Sequence, residues 1–204
     1  LAVILAGCPK PQPGEQAKEQ PAKHGEKTVQ AKTPPVDPAL VESLKKRIEQ
    51  LGGKLDLDEA GNPVAIDLSQ RQTTDEDLAL IAQVPTIQRL SLWGAEIQDS
   101  GIEKLVKLPN LQYLVLENTS ITNEGAKYLG QIKSLRSLNL RRSTNLTDDA
   151  LQPISQLPNL QELILLYNNF SDVGMKYVAQ LKTLRNLDIR GCVMITDAGL
   201  EAIK

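Results

Sequence analysis

Residues that commonly carry chemistry are scarce in this chain. It has one histidine, His24, and two cysteines, Cys8 and Cys192, at opposite ends. A serine or cysteine nucleophile needs a positioned imidazole beside it, and His24 stands in a polar stretch almost free of large apolar residues. No nucleophile–histidine pair is therefore expected. Metal-ligand spacing, a phosphate-cradling glycine loop and a nucleophile elbow are missing as well. Aromatic residues make up 3% of the chain, which excludes a core built on a few large rings. The formal charge of -2 exerts no general pull toward nucleic acid or an anionic membrane. No apolar run reaches the roughly 20 residues of a bilayer-spanning helix. These gaps point away from an enzyme: no catalytic residue, metal, cofactor or small-molecule substrate is expected.

What is present begins with "LAVILAGC", an apolar run, small residues and a cysteine, without an initiator methionine or a charged n-region. Leu5-Ala6-Gly7-Cys8 resembles the lipobox of bacterial lipoproteins. The resemblance implies cleavage before Cys8, lipidation of that cysteine, and a chain that begins inside a signal peptide. The following "PKPQPGEQAKEQPAKHGEKTVQAKTPPVD" is rich in Pro, Gln, Lys and Glu. Such a stretch buries too little surface to offset its ordering entropy. As a coil of about 28 residues it would hold a domain on the order of 30 Å from the anchor. Acyl chains would then attach the protein to the membrane without a transmembrane helix.

The remainder repeats itself. The segments "IDLSQ", "LSLWG", "LVLEN", "LNLRR", "LILLY" and "LDIRG" start at Ile66, Leu90, Leu114, Leu138, Leu163 and Leu187, every 24 residues with one step of 25. The last five are preceded by Ile87, Leu111, Leu135, Leu160 and Leu184, giving LxxLxL. Each is followed by an apolar residue, a Thr/Asp-type turn and a short amphipathic stretch such as "ITNEGAKYLGQI". This pattern resembles the leucine-rich repeat family. Its "ITDAGL"-type turn is similar to the cysteine-containing, F-box-like subclass, found also in bacterial and planctomycete repeat proteins. The resemblance implies an α/β solenoid, a right-handed β/α horseshoe of about six repeats of ~24 residues. LxL would lie on parallel strands lining the concave side, with helices on the convex side. Acid pairs such as Asp148-Asp149 and Asp75-Glu76-Asp77 recur at the strand-to-helix turn, where they are expected to cap their helices.

Before the repeats, "DPALVESLKKRIEQLGG" offers Asp37 as N-cap, Pro38 in the first turn and Gly52-Gly53 as a stop. Leu40, Leu44, Ile48 and Leu51 share one face. With the hairpin predicted for "KLDLDEAGNPVAIDL" this helix should shield the first rung. The other end shows no evident cap. The expected organisation is 1–7 partial signal peptide, 8–36 lipid-anchored disordered linker, 37–62 cap and 63–204 repeats.

Alternation along each strand leaves the residues one before, one after and three after each rung's start facing solvent. From them the candidate partner-binding set is drawn: Arg89 and Trp93; Tyr113, Val115 and Glu117; Arg141; Glu162, Ile164 and Leu166 with Tyr167 beside them; and Arg190. Trp93, Tyr113, Val115, Ile164, Leu166 and Tyr167 are expected to be exposed, where large apolar groups suggest contact with a partner. Arg136, Arg141, Arg142, Arg185 and Arg190 add a basic flank. Tyr128 and Tyr177 are assigned to helix packing and Phe170 to the core. Cys192 aligns with Thr119, Ser143 and Asn168 in a small polar column after each strand, and is read as an inward-facing turn residue.

The expected function is a non-enzymatic interaction module binding a protein partner on its concave face. Its expected location is the cell envelope, lipid-anchored through Cys8, periplasmic or extracellular. Two alternatives stand beside it: a ubiquitin-ligase-type substrate receptor, and the binding domain of a longer enzyme. Nucleic acid is not expected as a partner.

Overall fold

A computed structural model describes residues 2–4 and 36–203. Cys8, His24 and nearly all of the expected linker lie outside the described residues. The chain forms an eight-stranded sheet in the order β1-β8-β7-β6-β5-β4-β3-β2. Helix α1 (Pro38–Gln50) leads into a hairpin of β2 (Lys54–Leu57) and β3 (Pro63–Gln72), the antiparallel pair of the sheet. From β3 onward strands alternate with short convex segments: α2 (Asp75–Ile81), β4 (Arg89–Trp93), α3 (Asp99–Leu105), β5 (Tyr113–Glu117) and α4 (Asn123–Leu129). Next come β6 (Ser137–Asn139), a 3-10 turn over Asp148–Ala150 running into α5 (Leu151–Ile154), β7 (Glu162–Ile164), α6 (Asp172–Val178), β8 (Asn186–Asp188) and α7 (Asp197–Glu201).

Strands β3 to β8 are parallel and pair without slippage at the inward leucines: Leu90, Leu114, Leu138, Leu163 and Leu187 lie opposite one another. A one-residue slip would turn every leucine to solvent, so the burial of one face locks the register. Each unit adds the same set of side chains to one continuous core. In the third, Leu111, Leu114, Leu116, Ile121, Ala126 and Leu129 are all at most 1% exposed. Burying an aliphatic side chain of this size contributes about 1.5–3 kcal/mol, which outweighs the poor intrinsic stability of seven-residue helices such as α3 and α4. Phe170 is fully buried, and Tyr128 and Tyr177 pack half-buried against the core from the helical side.

The first rung is closed by α1. Asp37 Oδ1 accepts from the Ala39 amide at 2.9 Å, Leu44 and Ile48 are buried, and Gly52 ends the helix at φ +70°. Arg47 Nε donates to Asp77 Oδ1 at 2.6 Å, tying the cap to α2. At the other end the backbone of β1 (Ala2–Ile4) lies parallel to β8, with Ala2 opposite Asn186 and Ile4 opposite Asp188. The end for which the sequence shows no evident cap is thus covered along its strand edge by the chain's own apolar start.

The turn carboxylates meet the capping expectation at Asp77, whose Oδ2 accepts from the Thr74 amide and hydroxyl at 3.0 and 3.2 Å, and correct it at Asp75 and Asp148. Asp99, the first residue of α3, accepts from the amide and hydroxyl of Thr122, the N-cap of the next helix, at 2.8 and 2.7 Å. Asp148 does the same to Ser171, and Asp172 to Thr196, at 2.6 to 2.8 Å. Asp75 accepts from the Gln98 amide and the Ser100 hydroxyl. These carboxylates therefore staple consecutive repeats together. The hydroxyl that donates to the carboxylate keeps a lone pair for its own helix: Thr122, Ser171 and Thr196 accept from Glu124, Val173 and Ala198 amides at 3.2 Å. A helix gains its cap from a side chain oriented by its predecessor.

Candidate functional site: the concave strand face

The strand alternation exposes three side-chain columns, but packing within a curved sheet modifies the exposure that alternation alone implies. Tyr113 is 38% exposed and Tyr167 50%. Arg89 is also exposed, whereas Trp93, Val115, Glu117, Arg141, Glu162, Ile164, Leu166 and Arg190 are half-buried. The expectation that Trp93, Val115, Ile164 and Leu166 are freely exposed is thus corrected. Neighbouring strands bring same-face side chains about 4.5–5.5 Å apart, so large groups shield one another. Trp93 lies between Gln72 and Glu117 in register. Ala65 and Asp188, also assigned to solvent-facing columns, are buried at 8% and 7% exposure. Ala65 is flanked by β2 and β4, and the Asp188 carboxylate is folded under Arg190, which donates to it from Nε and Nη2 at 2.6 to 3.1 Å.

Charged groups on this face pair across rungs. Arg141 faces Glu117 at 3.4 Å, and Ser137 Oγ donates to Glu162 at 2.6 Å. Asp67, Asn139 and Asp188 each accept from the amide two residues on, which turns the strand out of the sheet. The residue four after each rung's start is in the left-handed region, at Gln70, Asn118, Arg142 and Tyr167, with glycine at the equivalent Gly94 and Gly191. Arg141 and Arg142 place their guanidinium carbons 5.8 and 5.4 Å from the Tyr167 ring centre. A Cβ on Gly191 would overlap that ring. Sequence columns assign Arg141, Arg142 and Tyr167 to this face without revealing the stack. The signal that could have found it is the shared column of Gly94 and Gly191, where Arg142 and Tyr167 take a conformation that favours glycine.

Cys192 lies with its column. Its thiol donates to the Leu165 carbonyl at 3.0 Å, Asn168 Nδ2 donates to Leu140 and Leu165 carbonyls, and Thr119 and Ser143 hydroxyls meet at 2.9 Å. Burial pushes the thiol above its ordinary value and Asp188 adds to this, against the opposing Asn168 amide. A thiol held protonated is a poor nucleophile. Cys192 satisfies a turn carbonyl.

Three stretches, residues 107–130, 156–179 and 180–204, match the family model described as Leucine Rich repeat. No curated protein matches the chain. Among solved structures, the PEPR1–AtPEP1 complex is similar at 16% identity and a TM-score of 0.40, over 65% of this chain and 23% of that one. The chain spans about a quarter of that protein's length. With the parallel strands and alternating helices described above, the repeats make the fold an α/β leucine-rich repeat solenoid.

Proposed function

We propose that this solenoid is a non-enzymatic module that binds a protein partner on its concave face while lipid-anchored to the cell envelope through Cys8. The observation that carries the first half is the placement of Tyr113 on a sheet face whose inward positions are committed to the core, and of Tyr167 in the turn after β7, 38% and 50% exposed. Aromatic rings on a solvated strand face gain little from folding and much from a partner that desolvates them. Replacing Trp93, Tyr113 and Ile164 together by alanine is expected to abolish capture of a crosslinked partner from envelope extract, with the circular dichroism spectrum of the native fold retained. Capture that survives the triple replacement would move the binding surface off this face. The anchoring half rests on Leu5-Ala6-Gly7-Cys8 and the polar stretch after it. Palmitate labelling is expected in bacteria expressing the parent protein and lost in Cys8→Ser. Cleavage before Cys8 would also remove the residues that form β1, leaving the edge of β8 without that strand.

A further inference from the structure

We propose that the stack of Arg141, Arg142 and Tyr167 is an acidic-peptide subsite: it would take a carboxylate side chain of an extended partner segment whose apolar residue two positions along rests on Ile164 and Leu166. The proposal rests on the concave-face reading and names the partner's chemistry. Two like charges are held beside one ring, at 5.4 and 5.8 Å from its centre. Only one of them is compensated. Arg141 faces Glu117 at 3.4 Å, and its Nε is buried without a hydrogen-bond partner. Among the described residues no carboxylate pairs with Arg142, which is exposed. The ring fixes both guanidiniums in advance, so a carboxylate arriving there gains charge-assisted bonds at a reduced entropic cost.

Backbone conformation supports the same assignment. Arg142 and Tyr167 stand at φ 56° and 55°, in the column that elsewhere holds Gln70, Gly94, Asn118 and Gly191. Left-handed backbone at bulky residues is strained and persists where the side chain has a use. Tyr167 could not lie as it does without Gly191 beneath it, because a Cβ there would overlap the ring. The adjoining half-buried Ile164 and Leu166 supply an apolar ledge on β7 and the turn after it. Charge and apolar surface therefore lie side by side, as they do along one face of an extended peptide whose acidic and aliphatic residues stand two positions apart.

The test uses the full chain and a short fluorescein-labelled peptide of repeating Glu-Glu-Val-Val, which alternates acid and valine along each face, followed by anisotropy, with a Lys-Lys-Val-Val peptide as control. Arg142→Gly removes the charge while placing glycine where the backbone favours it, so it should melt within roughly 4 °C of the parent. It should nevertheless bind about tenfold more weakly. Lys182→Gln, at an exposed cation outside the concave-face columns, should bind as the parent does. Unchanged affinity in Arg142→Gly, or an equal loss in Lys182→Gln, overturns the subsite. Equal competition by an oligothymidine or by phosphatidylglycerol vesicles makes the stack a general anion binder and overturns the peptide assignment. If the partner is lost in the Trp93, Tyr113 and Ile164 variant but captured normally by Arg142→Gly, the concave-face reading stands and the acidic-peptide chemistry fails.

Discussion

The step from the third repeat to the fourth differs from the steps on either side, and the difference shows how one proton-donor choice propagates into a helix. In the regular steps a carboxylate on Asp99, Asp148 or Asp172 receives the hydroxyl proton of the next N-cap. That carboxylate leaves no room for a side chain at Gly125, Gly174 or Gly199, whose Cβ would fall against its Oδ1. At the exceptional step the carboxylate is replaced by Asn123 and the glycine by Ala150. Asn123 Oδ1 still accepts from the Thr147 amide at 3.1 Å, but its Nδ2 donates to the Thr147 hydroxyl at 2.7 Å. Thr147 makes no side-chain cap to its own helix, and the segment opens as a 3-10 turn before the four-residue α5. The staple between repeats survives with its hydrogen reversed, and the relay into the helix is lost.

The largest expected effect asks whether the two kinds of step share one core. Leu163→Ala between two regular steps and Leu138→Ala beside the exceptional one should each cost about 2–5 kcal/mol in urea denaturation, since both leucines are fully buried. A much cheaper Leu138 replacement would show that the irregularity reaches the core.

Next comes the turn itself. Gly125→Ala drives a methyl against Asp99 and should cost about 1–3 kcal/mol, whereas Ala150→Gly should change stability by no more than about 1 kcal/mol. Combining Asp99→Asn with Gly125→Ala recreates the exceptional pairing and should recover at least about 0.5 kcal/mol of the loss. Simple additivity in that double variant would mean that the two positions are not coupled.

Converting the exceptional step to the regular one, Asn123→Asp with Ala150→Gly, should restore the cap at Thr147. The expected gain is about 0.5–2 kcal/mol; a lower melting temperature would sink the relay.

The smallest effect is in acid. Bonds from the Thr196 amide and hydroxyl hold Asp172 below the ordinary carboxylate range. Burial pushes Asp77 up, but the Arg47 side chain and the Thr74 amide and hydroxyl outweigh it and also leave it lowered. Stability from both is fully present above the unfolded carboxylate value near 4 and is lost as pH falls through the lower folded values. Melting between pH 7 and 3 should flatten measurably in Asp172→Asn, while Asn123, which does not titrate, supplies no slope of its own.

Much of this was legible from periodicity. The rung at Leu114 to Leu116 could be placed because alternation is local: successive strand residues face opposite ways whatever surrounds them. The cap was legible at Asp37, Pro38 and Gly52 for the same reason. Asp148 was misread because proximity to its own helix was the visible cue, whereas its partner, Ser171, stands 23 residues away. Trp93 was misread because exposure depends on what the adjacent strands carry.

The sequence by itself determined the solenoid, its register and its inward side chains, because a fixed repeat of apolar residues has one way to bury all of them at once. Only the tertiary structure decided which repeat each carboxylate serves, how far each concave side chain is shielded, and that Tyr167 packs beside two arginines and a glycine. Those contacts join residues about one repeat apart. Their geometry follows from the spacing and curvature of stacked strands, which no single repeat contains.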